Sequence, residues 1–194
     1  NNIELTYRLV LDNEFMELEK NMDFENPNLE LSYNAYYNHT YTESTFIEKS
    51  KESFESLKLI GSAPTGNNDI AIYKVLADYL LINGTIILDN DSKGNLIQKT
   101  WYPKDYNDLV NSHKKILLTN GNFKNSKKYY VVITGIIDED LSKFEVLKTI
   151  DRTKAEHEQK SLLDEFSNKY MPLLNLRIVS DNFYKETIID KNNI

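Results

Sequence analysis

The sequence predicts an α+β fold, a largely antiparallel sheet built from hairpins with three or four helices packed on one face. Three observations lead there. Apolar residues alternate with period two at Ile3–Asp12 and Leu29–Tyr37, which puts one apolar face inward as strands do. Stretches with helical spacing begin at Thr45-Phe46-Ile47-Glu48 and Thr153-Lys154-Ala155-Glu156, both matching the capping box. Short turn sequences, Asp91–Gly94, Asp138–Asp140 and Ser180–Asn182, separate apolar runs as hairpin turns do.

Ile3–Asp12 is the first predicted strand, and Phe15, Leu18 and Met22 suit a short helix over 13–22. Leu29–Tyr37 is the second strand. A helix over 45–60 follows, with Phe46, Ile47, Phe54, Leu57 and Ile60 inward and Gly61 as its C-cap. Ser62–Asn68, with Pro64 and Gly66, is a loop. Ile70–Ile82 reads as a buried helix capped by Asn83-Gly84, with a strand entering a hairpin as the alternative. Thr85–Asp89 and Asn95–Tyr102 form a hairpin. Pro103 suits the first turn of a helix over about 105–119, with Tyr106, Leu109, Val110, His113 and Leu117 on one stripe. Lys128–Asp138 and Lys143–Ile150 form a second hairpin. A helix runs from Thr153 to Tyr170 and stops at Pro172, and Leu174–Val179 with Phe183–Ile189 makes the last hairpin. The chain reads as a single domain over 1–194, with helix-hairpin units at about 45–102, 103–150 and 151–190.

Composition narrows the function classes. The 194 residues carry 23 basic and 30 acidic side chains, a net charge of −7, and apolar runs are too short for a transmembrane segment. Cys is absent, which removes disulfide scaffolds and thiol nucleophiles. The first residue is Asn1. Together with the missing Cys, it points to an extracytoplasmic bacterial protein, secreted or held by a lipid anchor upstream of Asn1. Residues 1–60 are net −7, residues 61–130 net +3 and residues 131–194 net −3. The middle third holds a basic patch, Lys114, Lys115, Lys124, Lys127 and Lys128. Arg is missing from it, and the whole chain is acidic, so solvated lysines are favoured over a nucleic-acid surface.

No motif here carries catalysis. His157-Glu158 starts like the helical zinc motif, but Ser161 stands where the second His is required. Asp89–Gly94 imitates a calcium loop and fails where Lys93 and Thr100 replace oxygen ligands. The sequence has neither a nucleophile elbow nor a phosphate-cradling loop, and with 6 Gly it is poor in dinucleotide-site glycines. Neither a metal nor a cofactor is expected. The surplus is in aromatics: Tyr33, Tyr36, Tyr37 and Tyr41 fall close together. Strand parity points Tyr33 and Tyr37 at the core and Tyr36 away from it. Tyr36, Tyr41, Trp101 and Tyr102 are therefore the candidate binding residues for a protein or small ligand. The expected function is a non-enzymatic extracytoplasmic binding or protein-interaction domain. A small acidic intracellular partner or inhibitor protein is the alternative, and a carboxylate-based enzyme the third.

Overall fold

The computed structural model describes residues 7–9, 16–17, 36, 45–49, 51–120, 128–151, 157–183 and 185. The elements run β1 (Tyr7–Leu9), β2 (Met16–Glu17), β3 (Thr45–Lys49), α1 (Lys51–Glu55), β4 (Leu59–Gly61), β5 (Asp69–Tyr73), α2 (Lys74–Asn83), β6 (Thr85–Asn90) and β7 (Leu96–Trp101). They continue through α3 (Tyr106–Asn111), β8 (Lys115–Asn120), β9 (Lys128–Ile137), a 3-10 helix Ser142–Thr149, α4 (His157–Lys169), a 3-10 helix Met171–Asn175, β10 (Leu176–Val179) and α5 (Asp181–Phe183).

The α+β class holds, but the sheet is mixed. Its ten strands follow the order β1-β3-β10-β5-β9-β8-β6-β7, with β2 on β8 and β4 on β9. Two pairs are parallel, β10 with β3 and β5 with β9. The hairpin rule fails there because these neighbours lie far apart in sequence, so no local turn sets their direction. The β6–β7 hairpin forms as expected, in register from Thr85↔Trp101 to Asn90↔Leu96.

β9 organises the sheet. Its first half, Lys128–Val131, pairs with β8, and its second half lies between β5 and β4. The register slips between Ile70 and Ala71, so Thr134 is an extra residue on β9, a β-bulge. Two glycines permit the tight β4–β9 approach. A Cβ on Gly135 would lie 2.4 Å from the Ser62 carbonyl oxygen, and one on Gly61, where φ is +85°, would lie 2.4 Å from that of Thr134.

Strand alternation divides the core between the two faces of the sheet. Ile70, Ile72, Ile133 and Ile136 join Leu76 and Leu80 of α2, Leu109 of α3 and Phe166 of α4. Ala71, Ile137 and Ile178 point the other way and meet Phe54 of α1. Helices therefore cover both faces, where one was expected. Four rings knit the larger cluster. Phe166 stacks on Tyr36 at 4.8 Å and on Tyr170 at 5.9 Å, and Phe144 meets Phe166 at 5.3 Å and Tyr170 at 5.2 Å.

Several expected elements change type. Met16–Glu17, expected in a helix, is strand β2 against Thr119 and Asn120. The expected helix 45–60 is β3, α1 and β4 in succession. Thr45–Lys49 goes to strand because β1 and β10 supply partners on both edges, and packing overrides a local cap signal. Ile70–Ile82 divides into β5 and α2, and Gly84 (φ +69°) caps α2 by donating its amide to Leu80 O at 2.8 Å.

The expected helix 105–119 stops at Asn111. There His113 takes φ +50°, a left-handed conformation that ends a helix, and β8 begins at Lys115. The helix starts near the expected residue, with Asp105 as N-cap and Pro103 two residues ahead of the cap instead of in the first turn. Asp105 accepts from the Asp108 amide at 2.8 Å, while Asp108 accepts from the Lys104 amide at 2.9 Å. Residues 143–150, expected as a strand, belong to a 3-10 helix apart from Ile150, and Asp181–Phe183 is helical where the last hairpin was expected to turn. The expected strand over 29–37 and the second capping box lie outside the described residues, apart from Tyr36.

Gly135→Ala and Gly61→Ala should each lower unfolding free energy by about 2–3 kcal/mol, as overpacked sites do. Gly94, at φ +83° with open space around it, should lose only about 1 kcal/mol on substitution by Ala. Urea melts of the three variants check the ranking.

Candidate functional site

A polar centre built on Asp78 lies inside the larger core cluster. Asp78 sits in the middle of α2, whose neighbours Val75, Leu76, Ala77, Tyr79 and Leu80 are all buried, and is itself 5% exposed. A carboxylate taken out of water needs donors. Tyr36 OH donates to Asp78 Oδ2 at 2.5 Å, and Tyr106 OH donates to Oδ1. Lys148 Nζ stands 3.9 Å from Oδ2, lies 4.7 Å from the centroid of the Tyr36 ring and pairs with Glu145 at 2.8 Å. The Tyr36 amide donates to Leu147 O at 3.2 Å. Asp78 thus joins α2, α3, the 3-10 helix Ser142–Thr149 and the chain at Tyr36.

A second cluster forms where the parallel strands β5 and β9 end. Lys74 follows Tyr73 and Asp138 follows Ile137, and the two pair at 2.8 Å. Lys58 reaches the other Asp138 oxygen at 2.6 Å. Hydrogen bonds from Lys58 and Lys74 hold the Asp138 carboxyl below its ordinary range. Glu139 is the reverse case. Burial raises its pKa, and its Oε2 is buried without a hydrogen bond among the described residues. Burial also raises the Tyr73 phenol, and the Glu139 charge adds to the effect. Lys74 lies 5.6 Å from the centroid of the Tyr106 ring, linking this cluster to the Asp78 centre. Among the described residues no three His, Asp or Glu side chains converge as metal ligands.

The structure scatters the sequence candidates. Tyr36 is 1% exposed, so its expected outward ring is instead a core ring and one of the two tyrosine donors to Asp78. Trp101 is half-buried against the core at the end of β7. Tyr102 is 49% exposed, its ring beside Gly84. Tyr41, Lys124 and Lys127 lie outside the described residues. Of the remaining lysines, Lys114 and Lys115 stand at the start of β8, while the Lys128 backbone pairs with Thr119 near its other end. Three residues of strand lie between Lys115 and Thr119, whose backbones are therefore about 14 Å apart.

The sequence reading passed over Asp78, whose signal was a single acid inside an apolar run. It also passed over Leu96 and Ile97, 67% and 37% exposed on β7. Among the described residues, no helix is long and apolar enough to cross a membrane. No protein-family model, curated protein or solved structure matches the chain.

Tyr36→Phe and Tyr106→Phe should each cost about 1.5–3 kcal/mol, the range for hydrogen bonds to charged groups. Their double mutant should depart from additivity because both donate to one carboxylate, as urea denaturation of the cycle would record. The two acids after β9 should act with opposite sign in melting temperature against pH. The lowered Asp138 stabilises the fold above its unfolded value of 3.8 and loses that contribution as pH falls through its folded pKa. Asp138→Asn should therefore melt below the parent at pH 7, with the gap closing in acid. The raised Glu139 costs stability once pH exceeds its unfolded value of 4.5. Glu139→Gln should melt above the parent at pH 7 and converge with it in acid.

Proposed function

We propose that the chain is a non-enzymatic binding or protein-interaction domain of a bacterial secreted or lipid-anchored protein, acting outside the cytoplasm through the β6–β7 hairpin. The observation that carries this reading is the exposed apolar surface of the hairpin. Among the described residues β7 ends the sheet order, and Leu96, Ile97 and Tyr102 are exposed on or next to it. Exposed apolar side chains at the end of a sheet offer contact area to a partner. The extracytoplasmic setting rests on the absence of Cys. The carboxylate-enzyme reading gains little from Asp78, because its two tyrosine donors occupy the carboxylate and burial keeps substrate from it.

A photo-crosslinking residue at position 97, compared with one at the exposed Asp164 of α4, tests the surface in the cells that make the protein. A discrete adduct at 97 that is absent at 164 is expected, with the protein in the envelope or extracellular fraction. Equal labelling at the two positions would sink the hairpin reading. A cytosolic fraction would shift the function to the acidic intracellular partner, whose association should weaken with salt.

A further inference from the structure

Asparagine followed by glycine is the dipeptide most prone to deamidation, because no side chain on the second residue hinders its backbone nitrogen from reaching the asparagine carboxamide. The sequence holds two such pairs, Asn83-Gly84 and Asn120-Gly121. The first sits at a closed corner, where α2 ends and β6 begins. Three contacts hold it there. The Gly84 amide donates to Leu80 O at 2.8 Å, and Asn83 Nδ2 donates to Tyr79 O at 3.1 Å. The base of the hairpin closes over the glycine: a Cβ on Gly84 would lie 2.9 Å from the Trp101 carbonyl oxygen and 3.0 Å from two carbons of the Tyr102 ring. Gly84 is buried, although the Tyr102 that covers it is exposed.

Deamidation needs the Gly84 nitrogen to give its proton to a solvent base and then to bond the Asn83 Cγ. The Cγ–Nδ2 bond breaks, the nitrogen takes protons from water and leaves as ammonia, and a cyclic succinimide remains. Water then opens the ring to aspartate, or to isoaspartate, in which the main chain runs through the former side chain. The net change is one water consumed and one ammonia released. The first steps are blocked in the closed corner. The Gly84 proton is already donated and shielded from solvent base, and the leaving nitrogen is held by Tyr79 O. Ring closure therefore requires the cap bond to break and the Tyr102 ring to move aside.

We propose that Asn83 is a gated deamidation site: opening of the α2–β6 corner exposes it, and the product keeps the corner from closing again. An acid at position 83 places negative charge at the carboxyl end of α2, where the helix dipole opposes it. It also replaces the donor to Tyr79 O by oxygens that only accept. Isoaspartate adds a carbon to the main chain between α2 and β6, in a corner already too tight for a Cβ on Gly84. Opening of a helix end is ordinarily reversible. Here each opening exposes the pair to an irreversible step, so the corner records its unfolding in covalent form.

Peptide mapping of the whole chain, held folded or in urea at mildly alkaline pH, follows aspartate and isoaspartate at position 83. The folded chain should react there at least about tenfold more slowly than the unfolded one, in which positions 83 and 120 should react alike because structure holds neither. Hydrogen exchange of the Gly84 amide needs the same opening, so the two rates should move together. Tyr102→Ala removes the exposed ring from over Gly84 and should raise both by one factor, with far-UV circular dichroism unchanged. Low urea opens the corner a second way should that variant leave it closed. Equal reaction at 83 in folded and unfolded chains overturns the gate, as does Gly84 exchange that rises without deamidation following. Refolding reads the product's effect. Chains aged in urea should refold in proportion to their intact Asn83, and Asn83→Gln, whose larger ring closes far more slowly, should refold more completely after the same ageing. Equal refolding of the aged parent and the aged variant overturns the claim that the product holds the corner open.

Discussion

The burial of Asp78 is the constraint on which the packing of the helices depends. A carboxylate in an apolar helix face is tolerated only when its oxygens are occupied, and leaving such a charge without its partners costs about 3–5 kcal/mol. Tyr36 and Tyr106 meet that demand from sites 42 and 28 residues away in sequence. Each donor arrives on a different piece of chain, so the pieces must dock together for any of them to be satisfied. The aromatic stack follows from the same requirement. Tyr36 can reach Asp78 only with its ring in the core, and there it lies on Phe166.

The sheet sets the matching constraint from beneath. β10, from the end of the chain, inserts between β3 and β5, so the sheet is continuous only when distant segments have met. Loop closure must precede those contacts, which makes parallel, sequence-distant pairing slow to nucleate. The local β6–β7 hairpin has no such requirement. The bulge at Thr134 and the paired glycines show how closely the middle is fitted, because β4 can lie against β9 only where Cβ atoms are missing.

This division explains what could be read in the sequence. The hairpin 85–102, the start of α3 near Asp105 and the Gly84 C-cap were legible because their determinants lie within a few residues of each other. Thr45–Lys49 was not, since its capping-box pattern is real as sequence and is outvoted by strands on both sides. Leu117 fitted a helical stripe begun at Tyr106, yet the left-handed His113 breaks the period between them. In the candidate site the tyrosine surplus was visible but its direction was not. Parity along an assumed strand turned Tyr36 outward, whereas its place is set by a carboxylate in a helix forty-two residues on. A lone Asp78 in an apolar run carries no local mark of the donors that make it tolerable.

Interior and edge therefore carry different duties. The Asp78 carboxylate is buried, with a tyrosine hydroxyl on each oxygen, and ties the helices to one another. The two acids after β9 divide in the same way, Asp138 held by two lysines and Glu139 penalised by burial. On β7 the side chains reverse the usual order, with Leu96 and Ile97 exposed and the single lysine already neutralised. A strand that spends its only charge within its own hairpin has given up the common protection against pairing. What the hairpin offers a partner is therefore side-chain contact area at Leu96 and Ile97, in a segment whose one strand charge is already paired with Asp89.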